Sequence, residues 1–170
     1  MTEGCGIFGL CGHPGIRKRR LPGRWLGMVR STEASDEEES RLGVISVDLN
    51  GLKNTNDTEG HRAGDMLIRE TARILRECAG ADCVFRTGGD EFIVVTENME
   101  ERDILLLIRH MRESAANNGI SMAVGFAYSR GRVSSFDTLL TRADLDMYKD
   151  KGHSYRRRRE DRMQESGEKL

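Results

Sequence analysis

Cys83-Val84-Phe85-Arg86-Thr87-Gly88-Gly89-Asp90-Glu91-Phe92-Ile93-Val94-Val95 is the stretch from which the fold is read. Two runs rich in β-branched and aromatic residues, Cys83 to Phe85 and Phe92 to Val95, flank a glycine pair. That arrangement predicts a β-hairpin whose turn glycines, Gly88 and Gly89, are free to take positive φ. The tip is acidic, because Asp90 and Glu91 follow the glycines directly.

Upstream, Val44-Ile45-Ser46-Val47 is a short, nearly continuous apolar run of the kind a central strand carries, and it ends at Asp48. Asn50 to Gly64 is polar and holds three glycines, which predicts a functional loop or a broken helix. Leu67, Ile68, Thr71, Ile74, Leu75 and Cys78 then recur at helical spacing, with Gly80 as the stop.

Downstream of the hairpin, Ile104, Leu105, Ile108, Met111 and Ala115 mark a second amphipathic helix, ending at Asn117-Asn118-Gly119. Ile120, Met122, Val124, Phe126 and Tyr128 alternate as a strand. Ser134 and Asp137 resemble a capping box before a last helix with Phe136, Leu139, Leu140, Ala143 and Met147 on one face. The order is β-α-β-β-α-β-α. The expected class is α/β, an α+β sandwich with a central mixed β-sheet flanked by helices.

Outside this patterned region the composition changes. Residues 1–40 are glycine-rich, then basic at Arg17-Lys18-Arg19-Arg20, then acidic from Asp36 to Glu39, and are expected to be a poorly ordered segment. Residues 41–155 form the folded domain, and 156–170 a polar and basic tail. With 37% apolar residues the chain can bury one core. A formal net charge of -1 supplies no global field for nucleic acid or a membrane surface, so neither is an expected partner. No apolar run approaches the ~20 residues of a membrane span. The basic residues near the N-terminus follow the apolar stretch Gly6 to Leu10, the wrong order for a secretory signal. Cys5, Cys11, Cys78 and Cys83 lack zinc-ribbon spacing and read as reduced thiols, so a cytoplasmic protein is expected.

The chemistry starts at Asp48, since a bare carboxylate at the end of a buried strand is costly without a partner. If the hairpin lies beside that strand, Asp48, Asp90 and Glu91 converge, and crowded carboxylates call for a cation. Oxygen donors in small number suit Mg²⁺, with phosphate oxygens and water completing its shell. Taken alone, Gly-Gly-Asp-Glu is only a turn. The segment after Asp48 adds weight: Asn50-Gly51-Leu52-Lys53 offers backbone N–H groups, a glycine for close approach and a lysine for a phosphate. Asn56 and Asp65 offer a donor–acceptor amide and a carboxylate, and a carboxylate can accept from the N1–H and 2-amino group of guanine. In isolation Asn56 reads as a cap, Asp65 as first-turn helix charge, and Lys53 and Lys151 as surface lysines.

Together these residues resemble the diguanylate cyclase, or GGDEF-domain, family. The matching stretches are Asp48 to Lys53 with Asn56-Asp57 and Gly60 to Asp65, then Arg86 to Phe92, then Ala143-Asp144 through Met147-Tyr148 and Lys151. They cover about residues 42–152. The resemblance implies a nucleotide-cyclase or polymerase-palm-like domain that joins two GTP molecules into cyclic di-GMP, releasing two pyrophosphates. It implies Mg²⁺ as cofactor, two ions per site with Mn²⁺ as a substitute, bound by Asp48, Asp90 and the main-chain carbonyl of Leu49. Asp90 or Glu91 would help deprotonate the attacking 3′-hydroxyl. Asn56 and Asp65 would read guanine, with His61 in support. Lys53 and Lys151 would neutralise the triphosphate, and Gly88 and Gly89 would let the backbone lie close to the nucleotide. Each domain would hold one GTP, so a homodimer is the implied active form. The alternative is a weak or inactive domain that binds GTP or cyclic di-GMP and regulates a partner.

The departures are specific. Asn50 stands where the family often has a second aspartate. The inhibitory Arg-x-x-Asp motif would fall on Ala79 to Asp82, where the arginine is missing, so product inhibition through it is not expected. The usual Asp-x-Leu-Thr-Gly-Leu-x-Asn-Arg segment is missing before Gly43. Gly152-His153-Ser154-Tyr155 replaces the usual Gly-Arg-Asn, so a phosphate-binding arginine is lost unless Arg156 or a neighbour substitutes.

Overall fold

The computed structural model describes residues 40–131 and 136–167, with side chains as far as residue 152. The segment before Ser40, Ser134 of the expected capping box, and the side chain of Arg156 lie outside the described residues. The elements are β1 (Arg41–Leu49), α1 (Leu52–Glu59), α2 (His61–Ala79), a 3₁₀ turn (Ala81–Cys83), β2 (Val84–Arg86), β3 (Glu91–Glu97), α3 (Glu101–Asn117), β4 (Met122–Arg130) and α4 (Phe136–Gly167). The polar segment after Asp48 is thus a broken helix. Its break is Gly60, whose φ of 87° only glycine adopts cheaply, and whose N–H still bonds the carbonyl of Asn56.

The four strands lie in the order β2-β3-β1-β4. This is the split βαβ arrangement of a β-α-β-β-α-β chain. β1 and β2 run in the same direction, but β3 lies between them. All three ladders among the described residues are therefore antiparallel, and the parallel neighbours foreseen for a mixed sheet are absent from them. The order of elements and the sandwich of helices about a central sheet are as the sequence predicts.

Alternation along β1 assigns its two faces. Ile45, Val47 and Leu49 join Phe92, Val94, Met122 and Val124 in a core closed by Ile74 and Leu75 of α2 and Ile104 and Met111 of α3. Leu42 and Val44 join Ile93, Val95 and Ala127 under Phe136, Leu139 and Ala143 of α4. β1 is buried on both faces, which is why it reads as an unbroken apolar run. The even-numbered positions face α4, and this puts Asp48 on the α4 side of the sheet.

Candidate functional site

α4 is held against β4 by polar contacts that the apolar pattern does not announce. The N–H groups of Val124 and Phe126 point off the free edge of β4. They donate to the carboxylates of Asp150 (2.9 Å) and Asp146 (3.1 Å), four residues apart on α4. Arg112 of α3 donates to the same Asp150 (3.0 Å) and to the Val124 carbonyl (3.1 Å). Ser46, the one buried hydroxyl on the α4 face of β1, donates to Asp144. Gly125 makes the close approach feasible: a Cβ there would stand 2.5 Å from the Ala143 carbonyl oxygen and closer still to the Met147 nitrogen. A carboxylate that receives strand-edge N–H groups also covers an edge that would otherwise template pairing with another chain.

This docking brings Lys151 to Asp48. The Lys151 ammonium lies 2.8 Å from each carboxylate oxygen. The Asp48 side chain is only 8% exposed and that of Lys151 is 42% exposed, so the pair runs from the sheet interior to solvent. Lys151, the expected triphosphate lysine, thus stands on Asp48, the expected metal ligand.

The hairpin tip meets the same end of β1. Glu91 is the cross-strand partner of Asp48, which places both on one face. The N–H of Leu49 donates to the Asp90 carbonyl at 2.8 Å, so the backbone of the tip is tied to the residue after Asp48. Gly88 and Gly89 are outside the left-handed region, contrary to the expectation of positive φ. The turn is closed by other means: the N–H groups of Thr87 and Gly88 converge on the Glu91 carbonyl, and the Arg86 guanidinium donates to the carbonyls of Gly88 (3.1 Å) and Gly89 (2.9 Å). A Cβ on Gly88 would meet Glu91 Oε2 at 2.6 Å, a contact that rotation of the Glu91 side chain relieves.

A second corner forms at the α1–α2 break. The N–H of Asn50 donates to the Ser121 carbonyl at 2.9 Å, closing the end of β1 onto β4. Gly51, at φ 84°, then turns the chain into α1. Lys53 is exposed on the first turn of α1, and His61 is exposed at the start of α2. The Asn56 amide lies over Gly64, the residue before the exposed Asp65.

The three carboxylates do not form a tight cluster. Among the described residues, no group of three or more His, Cys, Asp or Glu side chains is gathered closely enough to hold a metal ion. The physical reason is that like charges separate, and the cation on Asp48 here is the Lys151 ammonium. The donor set still fits Mg²⁺: Asp48 and Asp90 supply carboxylate oxygens and Leu49 a carbonyl, all hard oxygen ligands on two adjoining segments. A buried carboxylate that already binds a cation through both oxygens is suited to exchange one cation for another. Arg86, Arg112, Asp146 and Asp150 were not assigned roles from the sequence. Only the i, i+4 spacing of the two aspartates hinted at a shared helix face.

The family described as "Diguanylate cyclase, GGDEF domain" matches residues 28–157. Diguanylate cyclase A of Treponema denticola is 30% identical over 128 residues, which is 69% of this chain and 34% of that protein. The chain therefore spans about a third of that relative's length. The solved GGDEF domain of YfiN (TpbB) from Pseudomonas aeruginosa superposes with a TM-score of 0.67 at 27% identity, covering 75% of this chain and 80% of that one. The GGDEF domain of DgcB from Caulobacter crescentus, solved with c-di-GMP, has the same fold, with a TM-score of 0.67 at 24% identity over 76% of this chain and 83% of that one.

Proposed function

The chain belongs to the diguanylate cyclase GGDEF-domain family, and from that premise we propose that it condenses two GTP molecules into cyclic di-GMP with release of two pyrophosphates. The observation that carries this reading is the junction of β1 with the hairpin tip. Asp48 lies across from Glu91, Leu49 is bonded to Asp90, and the segment leaving that junction leads directly to Asn56 and Asp65.

In this reading residues 41–155 are the catalytic unit. Asn56 and Asp65 select guanine through its N1–H and 2-amino edge, which adenine lacks, with His61 in a supporting role. Lys53, on the first turn of α1, and Lys151 counter the triphosphate charge. Gly88 and Gly89 keep side chains out of the space over the tip, and a Cβ on Gly89 would meet no atom within 4 Å. Asp48, Asp90 and the Leu49 carbonyl would hold Mg²⁺, two ions per site. When bound, the metal supplies Lewis-acid activation of the 3′-hydroxyl and neutralises developing phosphate charge. Asp90 or Glu91 accepts the 3′-hydroxyl proton. Each domain presents one GTP, so the active species is a homodimer, and most of the rate comes from positioning and charge stabilisation. No helix among the described residues is long and apolar enough to cross a membrane. GTP supply puts the proposed location in the cytoplasm.

The test is a product assay on the purified chain with GTP and Mg²⁺ across protein concentration. Cyclic di-GMP and pyrophosphate should form, at a rate per chain that rises with concentration, and Asp90→Ala should abolish both. GTP that binds without turnover at any concentration would instead identify a regulatory binding domain. Equal use of ATP would remove Asn56 and Asp65 as base readers.

A further inference from the structure

We propose that Lys151 is the resident cation of Asp48 and gives up that carboxylate to the metal only when a triphosphate arrives. The proposal rests on the site assigned above. Three observations support it. The Lys151 ammonium is equidistant, at 2.8 Å, from both Asp48 oxygens, so it engages the whole carboxylate. Asp48 is buried at the end of β1, flanked by β3 and β4 through Glu91 and Ala123, which leaves the α4 side as its approach. The helix turn bearing Lys151 is anchored by Asp146 and Asp150 on β4, which holds the base of the Lys151 side chain in place near Asp48.

A divalent ion binds carboxylate oxygen at about 2.1 Å. Bound to Asp48 from the α4 side, it would stand against the ammonium, and like charges at that range repel one another. A triphosphate removes the conflict. Its oxygens accept Lys151, which is 42% exposed on a flexible stem and able to swing outward, and they ligate the ion that takes its place on Asp48. Lys151 therefore opposes metal binding in the absence of nucleotide and favours nucleotide binding in the presence of metal. A lysine that only neutralised phosphate would have the second effect without the first.

Mn²⁺ serves as the probe, read by the loss of its free-ion EPR signal on titration into the full chain without nucleotide. Lys151→Gln keeps a hydrogen-bond donor for the buried carboxylate but removes the charge. It should bind Mn²⁺ at least fivefold more tightly than the wild type, while binding a non-hydrolysable GTP analogue several-fold more weakly. Mn²⁺ should also raise its thermal midpoint by more than that of the wild type, and Lys151→Arg should behave as the wild type. Mn²⁺ affinity in Lys151→Gln that is equal to or below wild type, or undetectable in both, overturns the exchange. The site assignment is tested separately. Asp48→Asn in the Lys151→Gln background should abolish the Mn²⁺ binding, and binding that persists there would show that the metal is not on Asp48.

Discussion

Asn56 lies in the space that a side chain on Gly64 would need. An ideal Cβ on Gly64 falls well inside contact distance of Asn56 Oδ1, 2.9 Å from its Cγ and 3.2 Å from Leu52 Cδ1. The glycine in the first turns of α2 thus sets the position of an amide on α1. Gly64→Ala raises intrinsic helix propensity by about 1 kcal/mol, which offsets part of the packing cost. Affinity for a GTP analogue should fall about tenfold, equivalent to ~1.4 kcal/mol, with the thermal midpoint within a few degrees of wild type. Calorimetric titration measures the first and a melting curve the second. Unchanged affinity would detach Asn56 from guanine recognition.

Gly125 presents a different constraint, because its neighbours are backbone atoms of α4 that cannot rotate away. Gly125→Ala must push the helix off the sheet, and overpacking of this kind costs about 1–3 kcal/mol. Urea unfolding should show a loss in that range. The Lys151–Asp48 pair should loosen with it, since Lys151 is carried by the displaced helix.

Arg86 holds two consecutive carbonyls of the hairpin tip with one planar group. A lysine has a single ammonium in place of this fork. Arg86→Lys should reduce cyclic di-GMP formation about tenfold through misplacement of Asp90 and Glu91. The side chain is exposed, so the stability cost should stay below about 1 kcal/mol. Turnover equal to wild type would show that the glycine turn holds its shape without the guanidinium.

Burial raises the thiol pKa of Cys78, with the charge of Glu77 adding to it and a contact to Ser114 opposing it. Burial likewise raises that of Cys83, aided by Asp82 and Glu97. A raised value keeps the thiol protonated, and the thiolate is the reactive form. In a Cys5→Ser, Cys11→Ser background, iodoacetamide at pH 8 should alkylate the folded chain at least tenfold more slowly than the urea-unfolded chain. The linked stability is fully present below the ordinary thiol pKa and is lost as pH rises through the raised folded values. The unfolding midpoint should therefore decline on the alkaline side. Equal alkylation rates in the two states would contradict the burial.

Much of this fold is legible in one dimension because the determining signals are local. The alternation of β4, the helical period of α2 and α3, and the apolar run of β1 each follow from which side of an element meets the core. The glycine pair at 88 and 89 marks the hairpin correctly, yet the conformation is not the one its composition suggests. Arg86 and the Glu91 carbonyl close the turn without positive φ. The break at Gly60 was legible as an alternative, loop or broken helix, and only packing of α1 against α2 decides between them.

The order of elements, the buried faces and the identity of the residues at the strand ends follow from local pattern, since these depend on neighbours within a few positions. Which charges meet depends on how the elements pack. Lys151 stands 103 residues from Asp48 in the chain, and Asp150 stands 26 from Val124. No local period couples such positions. Their contact follows from α4 lying across Gly125 and from the antiparallel order β2-β3-β1-β4, which together bring the last helix over the end of the first strand. The low dielectric there makes an unpaired Asp48 costly, and the nearest cation on the docked helix pairs with it.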